Sequence, residues 1–98
     1  MTNKETPKTR ISGPNAYTDA ERMARYGHRD WLTWRDKDGV DHADLVSAAS
    51  IKAAMLACGT GRKFVLHQGS TRHRFIVSWR LASQMLRNAR YIEQHPYF

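Results

Sequence analysis

Twice along this chain a run of β-favouring residues meets a tight-turn signal, returns, and gives way to an apolar pattern of helical period. No other feature limits the fold as much. The first run is Trp31-Leu32-Thr33-Trp34-Arg35, followed by Asp36-Lys37-Asp38-Gly39 and a return strand over about 40–46. Asp supplies side-chain acceptors to its own backbone and Gly a permissive conformation, which is the chemistry of a hairpin turn. Ser47 then caps a helix over about 48–58, where Ile51, Ala54, Met55 and Cys58 recur at i, i+3, i+4 and i+7. Gly59 ends it. The second unit runs from Arg62 to His67, turns at Gln68-Gly69-Ser70, and returns from Thr71 to Trp79. A last helix follows from Ser78 to about Gln94, with Leu81, Met85, Leu86, Ala89 and Ile92 toward the core.

A single hairpin is only marginally stable in water, so the two are expected to pool into a four-stranded antiparallel sheet with the helices packed on one face. Ahead of them Thr18-Asp19-Ala20-Glu21 fits a capping box for a short helix stopped by Gly27, with Ala20, Met23 and Ala24 turned inward. The fold class is therefore α+β, a small single domain over 16–98 in the order α-ββ-α-ββ-α. Residues 1–15 hold Pro7, Gly13 and Pro14 without apolar period and read as a mobile tail. With 98 residues the chain has room for one hydrophobic core. Its one cysteine, Cys58, excludes an intrachain disulfide. Together with the lack of an apolar run near about 18 residues, this points to a cytoplasmic protein without a membrane partner.

Charge is distributed unevenly. Up to Asp44 the Lys and Arg residues are balanced by Asp and Glu, whereas from Leu45 to Ile92 there is no acid at all, so the net charge of +7 belongs to the second half. A field of this kind attracts a polyanion or an acidic protein surface. Alternation along Thr71–Trp79 sends His73, Phe75, Val77 and Trp79 to the core and Arg72, Arg74 and Ile76 outward. Arg62 and Lys63 are expected beside Arg72 and Arg74 at one end of the sheet, while Arg80, Arg87 and Arg90 lie off the apolar stripe of the last helix. Guanidinium groups suit phosphate because each is a planar, bidentate donor. Trp31 and Trp34 point to opposite faces of a strand, so one of them, Trp34 in this reading, is available to stack on a base unless the helix that starts at Thr18 packs on that side of the hairpin and hides it.

Other chemistry finds little support. The histidines show no paired helical spacing and Cys58 has no neighbouring cysteine, so no metal site or other cofactor is expected. Cys58 at the end of an apolar helix face reads as a small buried hydrophobe rather than a nucleophile. Gly59-Thr60-Gly61-Arg62-Lys63 follows a helix and precedes a strand, the reverse of a phosphate-binding loop, and reads as a cap with a basic turn. The expectation is a non-enzymatic binding protein whose basic half contacts nucleic acid or a ribonucleoprotein with little sequence readout. The alternative is an accessory protein of the phage or mobile-element type that inhibits or modulates a host protein through an acidic surface. An exposed sheet edge would also admit a homodimer.

Overall fold

The structure, a computed structural model, describes residues 9–59 and 63–95. The elements are β1 (Ile11–Ser12), a 3₁₀ turn (Pro14–Tyr17), α1 (Asp19–Tyr26), β2 (Trp31–Arg35), β3 (Asp41–Leu45), α2 (Ala48–Cys58), β4 (Phe64–His67), β5 (Arg74–Val77) and α3 (Trp79–Gln94). The strands form one antiparallel sheet in the order β1-β3-β2-β4-β5. The sheet has five strands where four were expected, and the expected run of helices and hairpins is preceded by β1 and the 3₁₀ turn.

Register assigns the faces. Leu32, Trp34, Phe64, Leu66, Phe75 and Val77 share one side, where α2 and α3 close the main core around Leu32, Trp34, Ile51, Ala54, Met55, Cys58, Phe64, Val77 and Ala82. Trp31, Thr33, Ala43, His67 and Arg74 share the other. There Ile11, Ala16, Tyr26, Trp31 and Ala43 form a second cluster beneath the 3₁₀ turn and α1. Helices on one face is thus corrected to helices on both. The cause is β2, whose Trp31, Leu32, Thr33 and Trp34 are all buried, since a strand apolar on both faces needs cover on both.

That cover comes partly from residues read as tail. Ile11 pairs with Ala43 and is buried, and the Gly13 N–H donates to the Asp41 carbonyl at 2.7 Å. The Tyr26 hydroxyl donates toward the carbonyls of Ala43 (3.0 Å) and Thr9. Burial, with the Asp44 carboxylate adding to it, pushes this phenol up to about 12, so it stays protonated as a donor. Residues 1–8 lie outside the described residues.

The local signals act unevenly. Ser47 and Ser50 form a reciprocal cap on α2, and the Glu93 carboxylate accepts from the Ala48 N–H at 2.9 Å, joining the last turn of α3 to the start of α2. At α1 the expected capping box does not form. The Thr18 hydroxyl donates to the Asn15 carbonyl and Glu21 pairs with Arg25. The inward residues of α1 are Arg22 and Tyr26, four apart, with Met23 partly buried, while Ala20 and Ala24 are exposed. Arg22 is held by the Ala16 carbonyl (2.7 Å) and Asp19 (2.6 Å).

Gly69 has a role other than the one expected of it. The left-handed residue of its turn is Arg72, at φ 64°, and Gly69 is needed because a Cβ there would lie 2.4 Å from the Arg29 carbonyl oxygen and 2.6 Å from the His28 carbonyl carbon. Backbone atoms have little room to yield. Gly69→Ala is expected to destabilise the fold by about 1–3 kcal/mol, as overpacking does, and a urea titration checks it. An unchanged midpoint would show that the loops 27–30 and 68–72 are not in contact.

Candidate functional site

Five acids of the first half are engaged by cations or a histidine of the same half. Asp19 pairs with Arg22, Glu21 with Arg25, Asp41 with Arg35, Asp44 with Arg10 and Asp36 with His42. The His42 bond, helped by the Val40 backbone N–H, holds the Asp36 carboxyl below the usual carboxylate range. By contrast Lys63, Arg72, Arg74, Arg80, Arg87 and Arg90 are exposed, and none has an ion-pair partner among the described residues. The positive field of the second half is therefore not cancelled among them.

Its cations do not share one end of the sheet. Arg74 lies opposite His67 at the turn end of the β4–β5 hairpin, whereas Phe64 lies opposite Val77, so Lys63 is at the far end. The four residue steps from Lys63 to His67 amount to roughly 13 Å. The expected edge of Arg62, Lys63, Arg72 and Arg74 is thereby corrected to two sites, and Arg62, with Thr60 and Gly61, lies outside the described residues. Lys63 borders a shallow groove of about 720 Å³ whose other lining includes Arg35 and Asp36, both already engaged. Arg72 and Arg74 converge at the mouth of a pocket of about 240 Å³ with Asp19, Met23, Trp31, His67 and Gln68. On α3, Arg80 and Arg87 are seven apart and share a side, and Arg87 donates to the Gln84 amide oxygen at 2.8 Å.

The pocket floor follows from register. His67 opposes Trp31 on β2 and Arg74 on β5, not His73, because the turn is longer than a three-residue turn allows: the Gln68 N–H donates to the His73 carbonyl. The His67 ring stacks on Trp31 at 5.4 Å and 10°, with Nε2 2.9 Å from the Thr33 hydroxyl. Burial, reinforced by Arg22 and Arg74, lowers its pKa to about 4, so the imidazole is neutral at ordinary pH.

The aromatic residues also move from their expected places. Trp34 is 3% exposed, stacked on His42 at 5.4 Å with the Arg10 guanidinium 5.2 Å above it, so it is core and not a stacking platform. Phe75, Trp79 and Leu81, expected inside, are part exposed, Phe75 to 43%. β5 ends at Val77, Trp79 is the first residue of α3, and α3 packs mainly on α2, leaving this end of the sheet partly uncovered. Tyr91 and Ile76 are more exposed still, and Tyr97 and Phe98 lie outside the described residues. Three of the exposed rings, Phe75, Trp79 and Tyr91, thus lie on β5 and α3, the elements that carry Arg74, Arg80, Arg87 and Arg90; Tyr91 is stacked on His95 at 4.2 Å, and Tyr17, also 43% exposed, lies on the 3₁₀ turn beneath the Arg35 guanidinium. Sequence reading misses this because edge position is decided by distant strands.

Among the described residues no three of His, Cys, Asp or Glu are grouped to hold a metal ion, and no helix is long and apolar enough to cross a membrane. Cys58 is a buried thiol 3.9 Å from the Arg35 carbonyl. Comparison with protein-family models, with curated proteins and with solved structures finds no match to this chain.

Proposed function

We propose that this protein is a non-enzymatic binding protein for single-stranded nucleic acid, or for unpaired regions of a ribonucleoprotein. In this reading Arg72, Arg74, Arg80, Arg87 and Arg90 hold phosphates, and Phe75, Trp79 and Tyr91 stack on bases. The observation that carries it is the coincidence, on β5 and α3, of rings open to solvent and cations without carboxylate partners among the described residues. A ring stacks only on a base that is not already paired and buried in a duplex, which favours single strands, and each such stack contributes about 1–3 kcal/mol. Recognition then depends on backbone charge and base faces, with little sequence preference.

An acidic protein partner is the second reading. The observation favouring it is the exposure of Ile76, Leu81 and Ile92 on the same elements, because aliphatic side chains seat better against a protein than against bases.

Anisotropy with a labelled 15-nucleotide strand and its duplex, at two salt concentrations, tests the proposal. Arg80→Gln with Arg87→Gln is expected to weaken strand binding for unrelated sequences alike. For each phosphate no longer neutralised, the plot of log affinity against log salt should flatten by about 0.7. Arg25→Gln with Arg35→Gln removes equal charge from cations already paired and should do less. Equal effects of the two pairs, or no affinity even at low salt, would overturn the reading, the second outcome in favour of the protein partner.

A further inference from the structure

The pocket between α1 and the turn of the second hairpin does more than lend two arginines to the basic surface. Its charge is simple. The Asp19 carboxylate on its rim is engaged by Arg22 at 2.6 Å, and His67 at its floor is a buried ring bonded to Thr33. What remains is Arg72 and Arg74, both exposed and without a carboxylate among the described residues.

Its walls are of two kinds. Met23, Trp31 and the His67 ring stacked on Trp31 make a flat, weakly polar side. Gln68 makes the other. Its amide oxygen accepts from the Thr71 hydroxyl at 2.9 Å, and its amide N–H₂ has no partner among the described residues. Trp31 is only 5% exposed, yet its indole N–H also lacks an acceptor among the described residues. That nitrogen is itself buried, so the pocket meets Trp31 only along the part of the ring left open by Tyr26 and His67. A volume of about 240 Å³ falls just under the range of about 300–1,000 Å³ for drug-sized ligands. It has room for one small ring with its anion and not for an extended cofactor.

We infer that this pocket binds one nucleotide, its phosphate across Arg72 and Arg74 and its base against Met23 and Trp31 within reach of the Gln68 amide. The inference rests on the nucleic-acid reading and adds to it a defined seat, where a single unstacked residue of the strand leaves the diffuse basic surface. Arg72 reaches the mouth from a left-handed backbone position that its bond to the Gln68 carbonyl (2.7 Å) maintains, so the loop that presents the cation also fixes the amide.

The test is a titration with uridine 5′-monophosphate, followed through the indole N–H signals in ¹H–¹⁵N spectra, with the Trp31 signal identified by its disappearance in Trp31→Phe. The Trp31 signal is expected to shift saturably while that of Trp34 stays in place. Uridine without phosphate should shift it at least tenfold less at equal concentration. Arg72→Ser with Arg74→Ser should weaken the response at least tenfold, with the unmoved Trp34 signal showing an intact core, and Lys37→Gln with Lys52→Gln, both exposed and away from the pocket lining, should leave it unchanged. A Trp31 signal unmoved by the nucleotide, in a protein that does bind the 15-nucleotide strand, overturns the pocket and leaves the broader reading standing. A saturable nucleotide response without strand binding upholds the pocket and overturns the broader reading. An equal response to inorganic phosphate overturns the inference by reducing the site to an anion hole.

Discussion

Trp34→Ala is expected to lose about 3–5 kcal/mol of folding stability, the usual cost of truncating a buried aromatic ring. Trp34 fills the main core beside Leu32 and Ile51 and carries both the His42 ring and the Arg10 guanidinium on its faces. Small domains have only about 5–15 kcal/mol in total, so the variant approaches the limit of folding at ordinary temperature. Trp34→Phe keeps part of the packing and should cost less. Urea denaturation of both variants measures the effect, and strand affinity of Trp34→Phe should match that of the parent. Weakened affinity with an unchanged unfolding midpoint would return Trp34 to the surface and reverse the faces of β2.

Acid should destabilise the fold earlier than carboxylate titration alone would. The His67 pKa lies near 4 against an ordinary 6.5, chiefly because burial penalises the imidazolium. Between those values the unfolded chain takes up a proton that the folded chain refuses, so stability is full above about pH 6.5 and falls as pH drops toward 4. At about 1.4 kcal/mol per unit, the decrease across the interval is about 3 kcal/mol. Asp36, held below its usual range by His42, loses its contribution at still lower pH, so melting between pH 7.5 and 5 isolates the histidine. His67→Gln retains an amide that can bond to Thr33 and should flatten the profile over that window. The same slope in this variant would show that another group titrates there.

The parts of the fold legible in the sequence are those fixed by neighbours. Ser47, the i, i+3, i+4, i+7 series and Gly59 together bound α2 to within its observed span, because capping and helical period act over one or two turns. The first hairpin is legible for the same reason: Asp36 accepts from the Asp38 and Val40 N–H groups and Gly39 adopts φ 82°. The second turn is not. Gly69 suggests a permissive backbone, yet it serves a close approach to residues 28 and 29, which are about forty positions away and leave no trace in the local sequence. The consequence reaches the candidate site, since the longer turn sets Arg74 opposite His67 and separates it from Lys63. Ile11 and Ser12 are too few to show a period, so β1 is invisible in the sequence, and with it the part of the second cover that it adds to α1. The acid-free stretch of the second half is legible outright, while the exposure of Phe75 depends on how α3 leans on α2, a matter of packing rather than pattern.

The strand order β1-β3-β2-β4-β5 leaves the sheet with two unequal borders. On one side β1 is two residues long and is followed at once by the 3₁₀ turn, so it offers almost no ladder to an incoming chain. On the other, β5 is a four-residue border with Ile76 68% exposed. A molecule with a single receptive border cannot polymerise through it. Two copies joined along β5 would consume both borders and present only the short β1 ends outward, so growth would stop at a closed pair instead of running on as a fibre. Charge opposes even that pair, because each β5 brings Arg74, with Arg72 and Arg80 before and after the strand, to a seam where no described carboxylate offsets them. On the proposed function, the same arginines that would hold a polyanion at this border would also oppose its pairing with a second copy.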